Sequence, residues 1–201
     1  WDGKELEKKR QDLKKMESID YRHEETNGQV DELQAFWRRW AEHYGESGFV
    51  NPRGDRLLTT LAIRAMRELR PRLMMINYTD PDYVHWGNPH HYTQAVAIID
   101  QELEKLDATI RNDPFYCDNT VLAIVPDCGR DSNPYAAVPF QHHFNSISSH
   151  EIFALFVGPG IDRGAVVDKP VDQVQVASTI GKFMQMPTPH ADSRVLEEVF
   201  A

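Results

Sequence analysis

Residues 119–133 read NTVLAIVPDCGRDSN, an apolar run with β-branched side chains that Pro126 closes and a tight polar cluster follows. A short apolar run without polar alternation predicts a strand buried on both faces, the kind found inside parallel sheets. The cluster Asp127-Cys128-Gly129-Arg130-Asp131 then falls at the strand's carboxyl end, where α/β proteins place their chemistry.

Two similar runs lie on either side. Residues 73–78 (LMMINY) and 152–157 (IFALFV) also read as buried strands, the second ended by Gly158-Pro159-Gly160. Helical periodicity covers about 55–69, with Leu57, Leu58, Leu61, Ala62, Ala65, Met66 and Leu69 on one face and Asp55 placed to cap the start. Further helices are expected over about 91–111 and 171–184. The order strand, helix, strand, loop, strand, helix predicts an α/β fold, a mostly parallel sheet flanked by helices. Toward the start, residues 2–18 are mostly charged and read as a solvated helix or arm, and 29–44 as a firmer helix carrying Phe36, Trp37 and Trp40. The expected division is a charged helical segment over 1–50 and an α/β domain over 51–201.

The formal net charge of −9 repels a phosphate backbone and argues against nucleic acid as a partner. No apolar run is long enough to cross a bilayer. Two cysteines, Cys117 and Cys128, make neither a disulfide framework nor a CxxC pair. Trp1 opens the chain inside a charged stretch, so residue 1 is expected to be an internal point of a longer precursor. The histidines are unevenly spread, with six of the nine between His85 and His150.

Three polar clusters border the expected strands: Thr79-Asp80-Pro81-Asp82-Tyr83-Val84-His85, Asp127-Cys128-Gly129-Arg130-Asp131, and Gln141-His142-His143. Carboxylate, imidazole and thiolate are the ligands of Zn²⁺ and related cations, and paired hydrolytic metals need about six of them. Asp80 or Asp82, His85, Asp127, Cys128 and His142 provide most of such a set. Each cluster alone reads equally as loop surface or caps. The three in series say more.

The segments YTDPDYVHWGNPHHYTQAVAIIDQELEKL, TVLAIVPDCGRDSN and QHHFNSISSHEIFALFVGPGI, with DQVQVASTIGKFMQM near the end, together resemble the C-terminal half of the alkaline phosphatase superfamily over about residues 55–187. The resemblance implies an alkaline-phosphatase-like fold, present as an incomplete copy. It implies Asp82 and His85 as ligands of one metal, with Asp80 the competing carboxylate, and His142 as its third ligand, with His143 and His150 as alternates. Asp127 would hold a second metal. Relatives follow that aspartate with histidine, whereas this chain has Cys128, which can still bind zinc but softens the site. Arg130 fits the Asp-His-Gly-Arg form of phosphodiesterase- and sulfatase-like members and would bind the substrate anion.

The nucleophile of such enzymes, a Ser, Thr or modified Cys at an early helix start, has no counterpart here; Thr59 and Thr60 fall inside the helix 55–69. The function implied is a metal-dependent hydrolase of small phosphoric or sulfuric esters, present as the part lacking its nucleophile. The divalent metal would be zinc, one or two ions, with manganese or calcium as alternatives. The other reading is a degenerate, non-catalytic domain of the same fold acting in binding or assembly. Resemblance also suggests a periplasmic or secreted protein, with the cytoplasm as alternative. A truncated sheet would favour a homo-oligomer or a missing N-terminal half as partner.

Overall fold

A computed structural model describes residue 35, residues 54–82, 89–131, 141–142, 146–191 and 193–201. The helices expected over 2–18 and 29–44 lie outside the described residues, except that Ala35 is helical. Four α-helices are described: α1 Asp55–Leu69, α2 Pro89–Asn112, α3 Ile147–His150 and α4 Gln175–Met184. Two short strands, β1 Leu122–Ile124 and β2 Leu155–Val157, complete the regular structure with a 3₁₀ turn at Glu197–Val199. No described helix is long and apolar enough to cross a membrane.

Of the described helices, α1, α2 and α4 answer to expected ones, α4 beginning at Gln175 rather than at 171, whereas α3 falls where a loop was expected. In α1 the apolar stripe buries Leu61, Ala62, Ala65 and Met66. The helix stops where Arg70 takes a left-handed backbone ahead of Pro71, which cannot continue it. In α4, Gln185 is left-handed, and the Met186 N–H closes back onto the Gly181 carbonyl at 2.9 Å. This is the usual way to satisfy the last orphan carbonyls of a helix.

The sheet does not follow the expectation of a mostly parallel arrangement. Among the described residues it has two strands, β1 and β2, paired antiparallel with Leu122 opposite Val157 and Ile124 opposite Leu155. Parallel pairing needs a crossover, usually a long helix. Between β1 and β2 the only described helix is α3, four residues long. The apolar runs misled because continuity suggests burial on both faces, whereas a two-stranded ribbon cannot provide it. In β2, Phe156 is buried while Leu155 and Val157 are exposed. Residues 73–78 belong to no strand; Met75 is 92% exposed, and burial alternates, with Met74, Ile76 and Tyr78 partly covered.

Two compact units are present. Leu61–Met75 belongs to one; Gly54–Thr60 and Ile76–Ala201 belong to the other. In the second unit, Phe156, Phe183 and Phe200 form a run of ring contacts, with centroids 6.2 and 4.5 Å apart. Thr179, fully buried in α4, donates its hydroxyl to Gln175 O and accepts the Leu196 N–H at 2.9 Å. Ile161 bridges to Phe200, so the end of the chain is woven into this core.

Candidate functional site

The loop carrying Asp80 and Asp82 is fixed from beneath by the start of α1. Asp55, 1% exposed, accepts the Thr79 N–H at 2.9 Å and the Asp80 N–H at 3.0 Å. In return its own N–H donates to Asp80 Oδ2 at 3.2 Å. The acid expected to cap α1 therefore caps a distant loop instead. One turn on, the Thr59 hydroxyl donates to Asp55 O and lies 2.7 Å from Tyr78 Oη. Either hydroxyl can be the donor in that pair. Thr59 is 0% exposed.

Charge gathers in this anchor. Burial pushes the Asp55 carboxyl above its ordinary value; the two backbone donors oppose the rise, while Asp80 and Glu102 add to it. Burial likewise raises Tyr78, with Glu102 and Asp55 contributing and the Thr59 hydrogen bond opposing. Glu102 sits on the buried stripe of α2 with Ala95 and Leu106 and is 1% exposed. Its Oε1 pairs with Lys105 at 2.5 Å, while Oε2 has no hydrogen-bond partner among the described residues.

From the opposite side, Arg130 reaches the same loop. Its Nη2 donates to Pro81 O at 2.8 Å and to Asp82 Oδ1 at 3.3 Å. The arginine side chain is 10% exposed and the aspartate 69%. The guanidinium also lies over the Tyr92 ring of α2, 5.8 Å from its centroid. Asp82 is thus an ion-pair partner of Arg130 from 48 residues away in the sequence.

The 127–131 loop is itself held tightly. Gln173 Nε2 donates to Pro126 O and Asp127 O, at 3.0 and 3.2 Å. Gly129 donates its N–H to Ser149 O at 2.9 Å. A Cβ on Gly129 would stand 2.0 Å from Ser148 O and 3.0 Å from Glu151 O, so only glycine allows this approach. The Asp131 N–H donates to Gln141 O at 2.6 Å, which draws the segment of His142 against the same loop.

Asp82, Asp127, Cys128, Arg130 and His142 therefore belong to three segments joined by hydrogen bonds, the first of them distant in sequence from the other two. Asp127 and His142 are exposed, and Cys128 is half-buried. His85 and His143 lie outside the described residues, and His150 is exposed on α3. Burial pushes the Cys128 thiol up, Asp127 adds by charge and by hydrogen bond, Asp82 adds further, and only Arg130 pulls it down. At neutral pH this group is a thiol, and a cation must displace its proton to bind.

As a donor set, two exposed carboxylates, a thiol and an imidazole fit a borderline cation such as zinc. Among the described residues no three His, Cys, Asp or Glu side chains already converge in a metal-holding arrangement. Sequence reasoning missed the supporting residues Asp55, Tyr78, Glu102 and Gln173. Glu102 had a legible signal, since its helical phase matches Ala95 and Leu106; the others depend on contacts that only the folded chain creates. Compared with family models, curated proteins and solved structures, the chain matches none.

Proposed function

We propose that this chain is the metal-binding part of a hydrolase of small phosphoric or sulfuric esters, with no nucleophile identifiable among its own residues. The observation carrying the reading is the joining of the Asp82, Asp127–Asp131 and Gln141–His142 segments by the Arg130 and Asp131 hydrogen bonds. The link from 127–131 to 79–82 spans 48 residues of sequence, and local chain order does not require it.

Asp82, Asp127, Cys128 and His142 would hold the cation, with His85 as a further ligand on sequence grounds. Once bound, such an ion polarises an ester oxygen and stabilises the charge that develops on it. The protein's own part is to present these groups on loops fixed from below. Asp55 holds the Thr79 and Asp80 amides, and Gln173 holds the carbonyls at the end of β1.

A non-catalytic reading is favoured by one feature. Cys128 stands in a field that keeps its proton, next to Asp127. A site with this thiol pays a proton-release cost before it binds an ion.

Metal content of the chelator-treated protein, re-equilibrated with zinc, separates the readings. About one or two zinc ions per chain, lost in a D82A/H85A double variant, supports the metal site. It would be followed by assays on aryl phosphodiesters and aryl sulfates. A wild type that takes up no zinc removes the hydrolase reading and leaves the non-catalytic one.

A further inference from the structure

We propose that Arg130 is a positioning residue, which sets the place and orientation of Asp82 by clamping the loop 79–82 onto the loop 127–131. The side chain crosses between segments 49 and 48 residues apart in sequence, to Pro81 O and Asp82 Oδ1. It is nine-tenths buried while the carboxylate it grips is mostly exposed. An arginine kept to meet an incoming anion is normally presented the other way round, with its fork open to solvent and its stem covered.

The two partners explain why arginine stands here. One nitrogen serves a neutral carbonyl and a carboxylate on adjacent residues, which fixes both the backbone and the side-chain torsion of Asp82. The ring of Tyr92 covers the guanidinium and limits its movement. Lysine has a single mobile ammonium and no planar face to stack, so it reproduces only part of this. The grip takes Oδ1 and leaves Asp82 oriented by it, as groups outside a metal's own ligand set commonly do. Asp55 meets the loop at Thr79 and Asp80, whereas Arg130 meets it at Pro81 and Asp82.

The consequence for a cation rests on the hydrolase reading; the clamp itself does not. Two measurements on the whole chain keep them apart. In hydrogen–deuterium exchange, R130M is expected to speed exchange of the 79–82 amides roughly tenfold or more, as loss of a charge-assisted bond implies, with α4 unchanged. R130K is expected between R130M and wild type. Unchanged 79–82 exchange in a folded R130M overturns the proposal. Should R130M lose protection throughout, α4 included, R130K decides. Intermediate exchange at 79–82 supports the clamp, and wild-type exchange overturns it.

The second measurement is zinc affinity by competition with a chelating dye. Where wild type binds zinc, R130M is expected to bind roughly tenfold more weakly, the scale for groups that orient a ligand. R130K should recover part of the loss. Equal affinity in R130M and wild type, with the loop loosened, overturns the positioning role. A wild type that binds no zinc removes the hydrolase reading, and the exchange result alone then decides the clamp.

Discussion

Replacing Asp55 by alanine tests the lower half of the site. The substitution strips two acceptors from the Thr79 and Asp80 amides, held at 2.9 and 3.0 Å, and frees Asp80 Oδ2 from the Asp55 amide only if the backbone shifts. Each stranded donor in a part-buried loop costs about 1.5 kcal/mol. Two give roughly 3 kcal/mol, less about 1 kcal/mol regained by removing a desolvated charge beside Asp80 and Glu102. D55A should therefore be less stable by about 2 kcal/mol, a fall in urea midpoint of about 1 M at a slope near 2 kcal/mol/M. D55N keeps one acceptor and should lose about 1 kcal/mol.

The pH dependence has a fixed sign. Because burial holds the folded Asp55 above its unfolded value of about 3.9, its contribution is complete below that pH and declines as pH rises through the folded value. The stability gap between wild type and D55N should thus be widest in acid and narrow toward neutrality. A D55A loss within about 0.5 kcal/mol, the range of an inert surface change, would refute the capping argument. A gap that widens toward neutral pH would refute the buried-charge account.

Three further outcomes are expected. G129A should lose about 3 kcal/mol in urea denaturation, since its methyl meets the backbone oxygens of Ser148 and Glu151, and a near-neutral result would mean that these segments are not in contact. E102M should be neutral or stabilising by about 1 kcal/mol, because it removes a buried carboxylate of which one oxygen has no partner among the described residues; a loss above that size in the same assay would show that Oε2 is engaged. Arg194 grips Glu198 with two contacts of 2.9 Å and holds its carboxyl down to about 2. A depressed value means that this pair contributes above the unfolded carboxylate range and is lost as pH falls through about 2. Carboxyl NMR should show that midpoint in wild type and an ordinary one in R194Q.

The helices were legible because their signals are local. The stripe of α1 and its stop at Pro71 need nothing beyond residues within a few positions, and the expected span agrees with Asp55–Leu69. For α2 the expected 91–111 falls inside Pro89–Asn112. The sheet was not legible, since strand direction depends on which distant run supplies hydrogen bonds. LMMINY had the right composition but belongs to no strand. At the site, the residue types were readable and their neighbours were not. Asp82 and Arg130 were both singled out, yet neither their ion pair nor the inward-facing role of Asp55 leaves any local mark. Only the helical phase of Glu102 offered a clue, and carboxylates in such phases are usually solvated.

The antiparallel pairing of β1 with β2 has a kinetic consequence. Asp131–Gln141 lies inside Gly129–Ser149, which lies inside Ile124–Leu155, which lies inside Leu122–Val157. Contacts nested in this way close like a zip, each shortening the slack that the next must remove, so chain entropy is lost in small instalments. The innermost closure belongs to the candidate site and the outermost to the ladder. In pulse-labelled refolding, the Asp131 and Gly129 amides should therefore gain protection no later than those of β1; the reverse order would show that the ribbon forms first and the loops settle onto it. The polar loops are, on this view, the nucleus around which the ribbon is drawn together.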